Sequence, residues 1–415
     1  MEPSPQPRTG WIVVSAATGL SFIFGIFFSF GVFLAPLITE FGWSSALTSF
    51  VFSVYSMSYS LGAIVIGRLA DRYGVRSTIG LGGVAITLAL VLSSRADAIW
   101  ELYLTFGVMG GIGAAAFWIP PTKAVIEHFE SSANLNMAIS VVAVGTGAGT
   151  LLISPVAGFF ITAYGWRTCY LLFALISAAI SVFGVAVIKS PSKSAGQSPA
   201  TEQAQTGQTL RQVIRTKNFW TLFGMYVLGC GIARYTVLVY IAVYVLAAGF
   251  PLQAGALCVG LIGGGSIFGR LGSGLLSRAL RDNLILLFSF VLQGVSSIAV
   301  VLSGSIWLVY ISAFVFGIGY GAYVPQFPLL TMRSFGMKSY GLVYGVISSG
   351  LGFGALVGPP VVGGLLFSAT GNYFASFVVA GAFSLLAAAM ALLMTTPGGM
   401  AVPSTPPAER LGNLN

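Results

Sequence analysis

Long apolar segments follow one another along this chain of 415 residues, in which 56 % of residues are hydrophobic and only 7 % are charged. A soluble domain carries about 25 % charged residues, whereas about 20 consecutive apolar residues form a helix that crosses a bilayer. Because the segments are continuously apolar, the alternating strands of a membrane barrel are excluded. The pattern predicts an all-α membrane protein with twelve transmembrane helices. The predicted spans are 12–37, 45–67, 78–94, 102–127, 135–163, 168–188, 219–246, 254–277, 284–303, 306–333, 341–367 and 373–395.

The distribution of basic residues orients these spans. An even number of spans places both ends of the chain on one side of the membrane. The other side carries only Arg95 and Arg167. The side of the termini carries Arg8, Arg68, Arg72, Arg76, Lys189, Lys193, Arg211, Arg215, Lys217, Arg278, Arg281, Arg333, Lys338 and Arg410. By the positive-inside rule the richer side is cytoplasmic. We therefore expect a multi-pass protein of the cell membrane, the inner membrane in a Gram-negative cell, with cytoplasmic termini and no cleaved signal peptide.

A polar connector divides the spans into six and six. Residues 191–208 are rich in Ser, Gln, Ala and Pro and show no apolar periodicity. The two sides of this connector repeat one another, since Gly111 and Gly113 in span four match Gly317 and Gly319 in span ten. Six-helix parallel repeats are typical of a large transporter class that binds its substrate between the halves, near the bilayer midplane. The expected units are an N-terminal bundle 1–188, a cytoplasmic linker 189–216, a C-terminal bundle 217–398 and a cytoplasmic tail 399–415.

A glycine-rich and charged motif joins spans two and three. Residues 67–76 read GRLADRYGVR, and a degraded copy, GLLSR, follows span eight at 274–278. This motif resembles the G-x-L-a-D-r-x-G-r-r loop of the major facilitator superfamily. The resemblance implies a fold of twelve transmembrane helices and a cytoplasmic gate that holds the outward-facing state. The residues that the resemblance assigns to this gate are Gly67, Asp71, Arg72, Arg76 and Arg278.

Two arginines lie inside predicted spans, where a charge is costly and is usually functional. Arg234 lies about fifteen residues into span seven, near the bilayer middle, and Arg270 lies roughly 12 Å from the cytoplasmic boundary at a rise of 1.5 Å per residue. No Asp or Glu occupies the interior of any predicted span. Because a planar guanidinium binds a carboxylate through two parallel hydrogen bonds, we expect an anionic substrate. The competing interpretations are that Arg270 snorkels to the cytoplasm and that Arg234 pairs with helix carbonyls.

A narrower resemblance concerns span eight. Arg270 and Gly274 form an R-x-x-x-G pattern similar to that of helix eight in the monocarboxylate transporters and the related oxalate:formate exchangers, and residues 41–44 read FGWS after span one. The resemblance implies that Arg270 binds the substrate carboxylate. On helix seven, family members often have a His where this chain has Tyr240, which is a departure from the family pattern.

The chain departs from that group at the positions that would carry a proton or a second cation. Ser266 and Ala247 stand where proton-coupled members often have an acid, and residues 341–367 lack the lysine of the oxalate exchangers. Proton-linked symport, anion exchange and uniport therefore all remain open.

Aromatic and polar residues of spans four and ten complete the predicted site. Trp118 precedes Pro120 and Pro121, which free backbone carbonyls and favour a position beside a cavity. For each aromatic residue, packing or lipid contact is the competing interpretation. The predicted substrate-binding residues are Arg270, Arg234, Trp118, Phe117, Tyr323, Gln326 and Tyr240.

These features predict a secondary active transporter that moves a small organic anion, a mono- or dicarboxylate, across the plasma membrane by alternating access. No G-x-x-x-x-G-K-[ST] loop is present, so ATP is not the expected energy source. The three cysteines lack metal-ligand spacing and the chain has a single histidine, which argues against a metal site and an enzyme, and no cofactor is expected. The expected partners are the anion, a proton in the symport case and membrane lipid, with no nucleic acid, and the chain is expected to be a monomer. The alternative is an exporter of neutral or amphipathic small molecules of the drug-efflux type.

Overall fold

The computed structural model describes residues 7–129, 135–188, 208–277, 279–302, 304–336 and 340–394. Within these ranges the chain is almost entirely helical and forms no β-strand, which confirms the predicted all-α membrane class. Eleven continuous helical stretches there are long and apolar enough to cross a membrane. The longest, Met137–Val187, turns at Gly165, whose φ of 81° and ψ of 161° are not helical. This stretch therefore contains two spans.

Twelve spans, labelled α1 to α12, follow along the described chain. Their bounds are Gly10–Phe41 (α1), Ser45–Ala70 (α2), Val75–Ser93 (α3), Ile99–Ile126 (α4), 137–164 (α5), 166–187 (α6), Lys217–Ala247 (α7), Leu252–Leu276 (α8), Asp282–Leu302 (α9), Ile306–Phe335 (α10), Gly341–Thr370 (α11) and Phe374–Leu392 (α12). We call the side of the membrane at which α1 begins and α12 ends the terminal side, and the other the opposite side. Most of the predicted linker, 189–207, and the predicted tail lie outside the described residues.

The first six and the last six spans meet through α5 against α8 and α2 against α11. At Gly263 of α8, an added Cβ would lie 2.6 Å from the backbone nitrogen of Leu151 and 2.7 Å from the carbonyl oxygen of Gly147, so only hydrogen fits there. A Cβ on Gly364 of α11 would likewise lie 2.4 Å from the Cα of Ala46. Small residues allow such close packing of membrane helices, which lack a hydrophobic drive to associate within lipid.

Several spans are interrupted along their length. The turn residues 116–118 break α4, and Val324 and Pro325 separate two helical segments of α10. The π-helical stretches are Tyr103–Met109 in α4, Tyr226–Ala233 in α7 and Gly358–Leu365 in α11. Irregular backbone at membrane depth is tolerated only where it contacts protein or lines a cavity. The interruptions in α4, α7 and α10 adjoin the cavity described next.

Candidate functional site

A cavity of about 160 Å³ lies between the first six and the last six spans. Its lining comes from α1, α2, α4 and α5 on one side and from α7, α8, α10 and α11 on the other. Because α11 contributes only residues of its first half and α10 residues of its middle and second half, the cavity occupies the middle and the terminal-side part of the membrane. A volume of this size holds on the order of ten water molecules, which is room for a small organic molecule.

Close packing of α8 on α10 places Arg270 at this cavity. Gly265 and Gly269 of α8 face carbonyl oxygens of α10, where an added Cβ would lie 2.0 and 2.1 Å away. On α10, Gly321 faces the carbonyl oxygen of Ser266 in the same manner, at 2.2 Å. The two backbones therefore touch, and Tyr320, which precedes Gly321, comes within hydrogen-bond reach of Arg270.

Arg270 is 1 % exposed and is held by neutral acceptors alone. Its Nη1 donates to Ser266 Oγ at 3.1 Å, and its Nη2 donates to the Tyr320 hydroxyl at 2.9 Å. The Nε atom has no hydrogen-bond partner. A guanidinium carries five N–H donors, so these two hydrogen bonds leave part of its donor capacity unused.

Arg234 is 7 % exposed and begins the α-helical segment that follows the π-helical stretch of α7. Its guanidinium carbon lies 4.2 Å from the ring centroid of Tyr235, 4.9 Å from that of Tyr320 and 5.9 Å from that of Phe28. Aromatic faces attract a cation but do not accept its N–H groups as a carboxylate does. The Nε of Arg234 has no hydrogen-bond partner.

Tyr320 therefore contacts both arginines. The hydroxyl of Tyr320 accepts a hydrogen bond from Arg270, while its ring lies beside Arg234. The guanidinium carbon of Arg270 is 5.1 Å from the same ring centroid. With each guanidinium carbon about 5 Å from one point, the two are separated by at most about 10 Å. The two cations thus lie close enough to act on one small ligand.

No carboxylate balances these charges, since Arg234 and Arg270 are the only ionised side chains among the described residues that line the cavity. The ion pairs within the described ranges lie at the helix ends. Arg167 pairs with Glu40 and Asp97 on the opposite side, and Arg333 pairs with Asp282 on the terminal side. An unpaired buried charge costs several kcal/mol. The two guanidinium groups therefore leave the described lining of the cavity with an uncompensated positive charge.

The structure brings part of the predicted site together at this cavity. Four of the seven predicted substrate-binding residues line it, namely Arg234, Arg270, Trp118 and Tyr323. Trp118 packs edge-to-face on Phe24, with ring centroids 6.3 Å apart.

The other three predicted residues are placed elsewhere. Phe117, adjacent to Trp118, is fully buried and lies 3.6 Å from a Cβ built on Gly83 of α3, so it packs inside the first six spans. Gln326 is buried beyond the break in α10 and does not line the cavity. Tyr240 lies nearer the opposite side, where its hydroxyl donates to the carbonyl of Ser45 at 3.1 Å.

The predicted gate residues lie at the terminal side. A Cβ on Gly67 would meet its nearest neighbour, Ile119, only at 4.0 Å, so this conformation does not use Gly67 for close packing. Arg72 and Arg76 are exposed, and neither pairs with a described carboxylate. The side chain of Asp71 and the whole of Arg278 lie outside the described residues.

Tyr320 was not among the predicted site residues, nor were Tyr55, Tyr59 and Tyr235 of the cavity wall. A weak signal was present, because Tyr320 stands between Gly319 and Gly321 in the repeated glycine pattern and shares a helix face with Tyr323 three residues later. Flanking glycines remove the side chains that would separate a tyrosine from a neighbouring helix.

Twelve spans in two sets of six, with a cavity between the sets, define a class of membrane transport proteins. The chain belongs to the Major Facilitator Superfamily, whose family model matches residues 16–359 and 281–412. The fold agrees, because the partially occluded inward-open structure of the xylose transporter XylE from E. coli superposes with a TM-score of 0.73 at 12 % identity, over 93 % of this chain and 98 % of that chain.

Among curated proteins, the chain is similar to the monocarboxylate transporters. It is 25 % identical over 402 residues to monocarboxylate transporter 13 of Bos taurus, covering 95 % of this chain and 90 % of that protein. It is 27 % identical over 398 residues to monocarboxylate transporter 11 of Mus musculus, covering 92 % and 86 % respectively. The protein is therefore a multi-pass membrane transporter of a small molecule, related to the monocarboxylate transporters, and is not an enzyme.

Proposed function

We propose that this protein transports a small organic anion whose carboxylate binds Arg270 and Arg234. The observation that carries the proposal is the pair of buried guanidinium groups, each with an unpartnered Nε, in a cavity whose described lining contains no acid. A carboxylate would supply the acceptors that Ser266 and Tyr320 supply in part to Arg270. The names of the related monocarboxylate transporters support the same ligand class.

Alternating access is the proposed mechanism, with the terminal side cytoplasmic as the positive-inside rule predicts. On the opposite side, Ser45 and Tyr240 exchange hydrogen bonds between α2 and α7. Nearer the middle of the membrane, Ser53 Oγ donates to the carbonyl of Ala355 at 2.5 Å between α2 and α11. With the opposite side closed and the cavity displaced toward the terminal side, this conformation corresponds to an inward-facing state. The gate residues Gly67, Asp71, Arg72, Arg76 and Arg278 are proposed to come together when the carrier faces outward.

The proposed coupling of transport to a proton or to a second anion does not use an acidic side chain of the cavity. A symported proton would travel on the substrate itself, since no described carboxyl lines the cavity, and a second anion would serve as the counter-substrate in exchange. We propose either of these modes for a monomer in the plasma membrane. An exporter of neutral or amphipathic molecules is the alternative, because 11 of the 21 lining residues are aromatic.

The test uses purified full-length protein, thermal-shift titrations with propionate, succinate and benzoate, and uptake of the same labelled acids into liposomes. We expect at least one acid to stabilise the wild type and to be taken up saturably. Arg270→Ala and Arg270→Lys should abolish both effects, because lysine cannot form the bidentate pair. Arg95→Ala, which removes an exposed arginine outside the cavity, is the matched control and should behave as the wild type.

Undiminished saturable uptake by Arg270→Ala liposomes would overturn the assignment. Stabilisation by neutral amphipathic compounds alone, unchanged in Arg270→Ala, would establish the exporter alternative instead.

A further inference from the structure

The cavity wall is chemically asymmetric. Both cations come from the last six spans, on α7 and α8, whereas the first six spans contribute nine lining residues without any charge. Five of these nine are aromatic: Phe24, Phe28, Tyr55, Tyr59 and Trp118. The positive charge of the cavity therefore belongs to one half of the protein, whereas the other half offers an uncharged and mainly aromatic surface.

The aromatic residues of the first half form one connected surface. Phe24 packs edge-to-face against Tyr59 at 5.7 Å and against Trp118 at 6.3 Å between ring centroids. Tyr55 stacks on Phe27 with ring centroids 4.4 Å apart, and this contact holds the Tyr55 ring in place. These contacts hold the rings in place without a ligand, so little side-chain entropy is lost when a ligand binds.

A second aromatic surface lies across the cavity on the last six spans. Tyr226 packs on Phe327 with ring centroids 4.1 Å apart, and its hydroxyl is 3.1 Å from that of Tyr344. Tyr320 packs edge-to-face on Tyr323 at 6.0 Å, beside the two arginines. The cavity is thus a slot with aromatic walls on both sides and its positive charge at one place.

The positive charge of this slot is confined to the neighbourhood of one ring. Arg234 and Arg270 both adjoin the single ring of Tyr320, and the described lining beyond them offers no third cation. The remaining volume is bounded mainly by aromatic faces, which favour a flat π-system through stacked and edge-to-face contacts.

From these observations we propose that the substrate is an aromatic monocarboxylate. Its carboxylate binds Arg270 and Arg234, and its ring lies between the Phe24, Tyr59 and Trp118 surface and the Tyr226 and Phe327 surface. The inference rests on the proposed carboxylate transport and narrows its substrate class.

The experiment measures binding to the purified full-length protein with four probes: 3-phenylpropionate, propionate, succinate and the neutral amide 3-phenylpropanamide. We expect 3-phenylpropionate to bind at least tenfold more tightly than propionate or succinate. The amide should bind at least tenfold more weakly than the acid, because it keeps the ring and loses the charge. Arg270→Ala should remove acid binding.

Variants of the aromatic wall test the placement of the ring. Trp118→Leu and Tyr59→Leu should each weaken 3-phenylpropionate severalfold while leaving the propionate affinity within about twofold. Trp307→Leu is the matched control, since Trp307 is 73 % exposed and lies outside the cavity, and it should change neither affinity.

Each outcome separates the two proposals. Equal or tighter binding of propionate or succinate, still lost in Arg270→Ala, would overturn the aromatic substrate and leave carboxylate transport standing. Equal weakening of both acids by the wall variants would also overturn it. Binding of no acid, or acid binding indifferent to Arg270→Ala, would overturn carboxylate transport itself.

Discussion

At the scale of single residues, Tyr320 links the two arginines of the cavity. Its hydroxyl takes one N–H of Arg270 and its ring faces Arg234, so it occupies the place beside both cations that an anion would compete for. A buried donor left unsatisfied costs about 1–3 kcal/mol. Tyr320 thus reduces the cost of keeping Arg270 buried when no ligand is bound.

Tyr320→Phe keeps the ring and removes the acceptor. The free energy of unfolding of the ligand-free protein should fall by about 1–3 kcal/mol, and the stabilisation by a bound carboxylate should exceed that of the wild type, since the ligand now satisfies an otherwise unpaired donor. Thermal unfolding with and without 3-phenylpropionate measures both. Tyr164→Phe, at a ring that is 62 % exposed, is the control. An unchanged ligand-free stability would refute this role.

The arginines could be predicted from the sequence and Tyr320 could not, for a physical reason. A charge inside an apolar span is rare and expensive, so Arg234 and Arg270 stand out. Aromatic residues are abundant, with 16 Tyr and 31 Phe in the chain, and most of them pack or face lipid. Phe117 and Trp118 are adjacent, yet the turn at 116–118 decides which of them reaches the cavity, and the pattern of apolar residues does not reveal that turn.

At the scale of elements, the number and order of the spans followed from hydropathy, because length and apolarity define a membrane helix. The predicted separation of spans five and six at 163–168 coincides with Gly165. The π-helical stretches were not predicted, since they depend on how neighbouring helices and side chains accommodate the freed backbone groups. One of these stretches helps to position a site residue, because it ends immediately before Arg234.

The contact between α5 and α8 offers a matched pair of glycines. Gly263→Ala should lower the thermal unfolding temperature, because its Cβ would lie 2.6 Å from a backbone atom of α5. Gly272→Ala on the same helix meets nothing within 4 Å and should leave stability unchanged or raise it by up to about 1 kcal/mol, as alanine favours a helix over glycine. Thermal unfolding in detergent measures the stability of the two variants against the wild type. Equal stability of both would contradict the backbone contact.

At the scale of the whole molecule, the two halves are joined on the opposite side by hydrogen bonds that must break for that side to open. The hydroxyl of Tyr240 both accepts from Ser45 Oγ and donates to the Ser45 carbonyl. A Cβ on Gly363 would lie 2.1 Å from the Tyr240 ring, so the ring is also tightly enclosed. Tyr240, predicted as a substrate residue, therefore lies at a contact between the two halves.

Tyr240→Phe should increase the population that is open on the opposite side. Loss of about 1 kcal/mol of hydrogen bonding changes the ratio of the two states roughly fivefold. Spin labels at Leu47→Cys and Phe374→Cys, both exposed at the opposite side in different halves, report the opening as longer distances in pulsed EPR, and the three native cysteines are buried.

Tyr244→Phe is the control for this experiment. Tyr244 lies one turn further along α7, and its hydroxyl donates to the carbonyl of Val300 within the same half. Its removal should leave the distance distribution as in the wild type. A shift of the same size in both variants would mean that the Tyr240 hydroxyl does not hold the halves together.

The ion pairs of Arg167 connect several segments at the opposite-side end of the first six spans. Arg167 follows the tight corner at Gly165 and binds both Glu40, at the end of α1, and Asp97, in the loop between α3 and α4, the latter at 2.8 Å. One side chain thereby joins opposite-side segments that are far apart in the chain. We therefore expect these helix ends to move together when the carrier changes state.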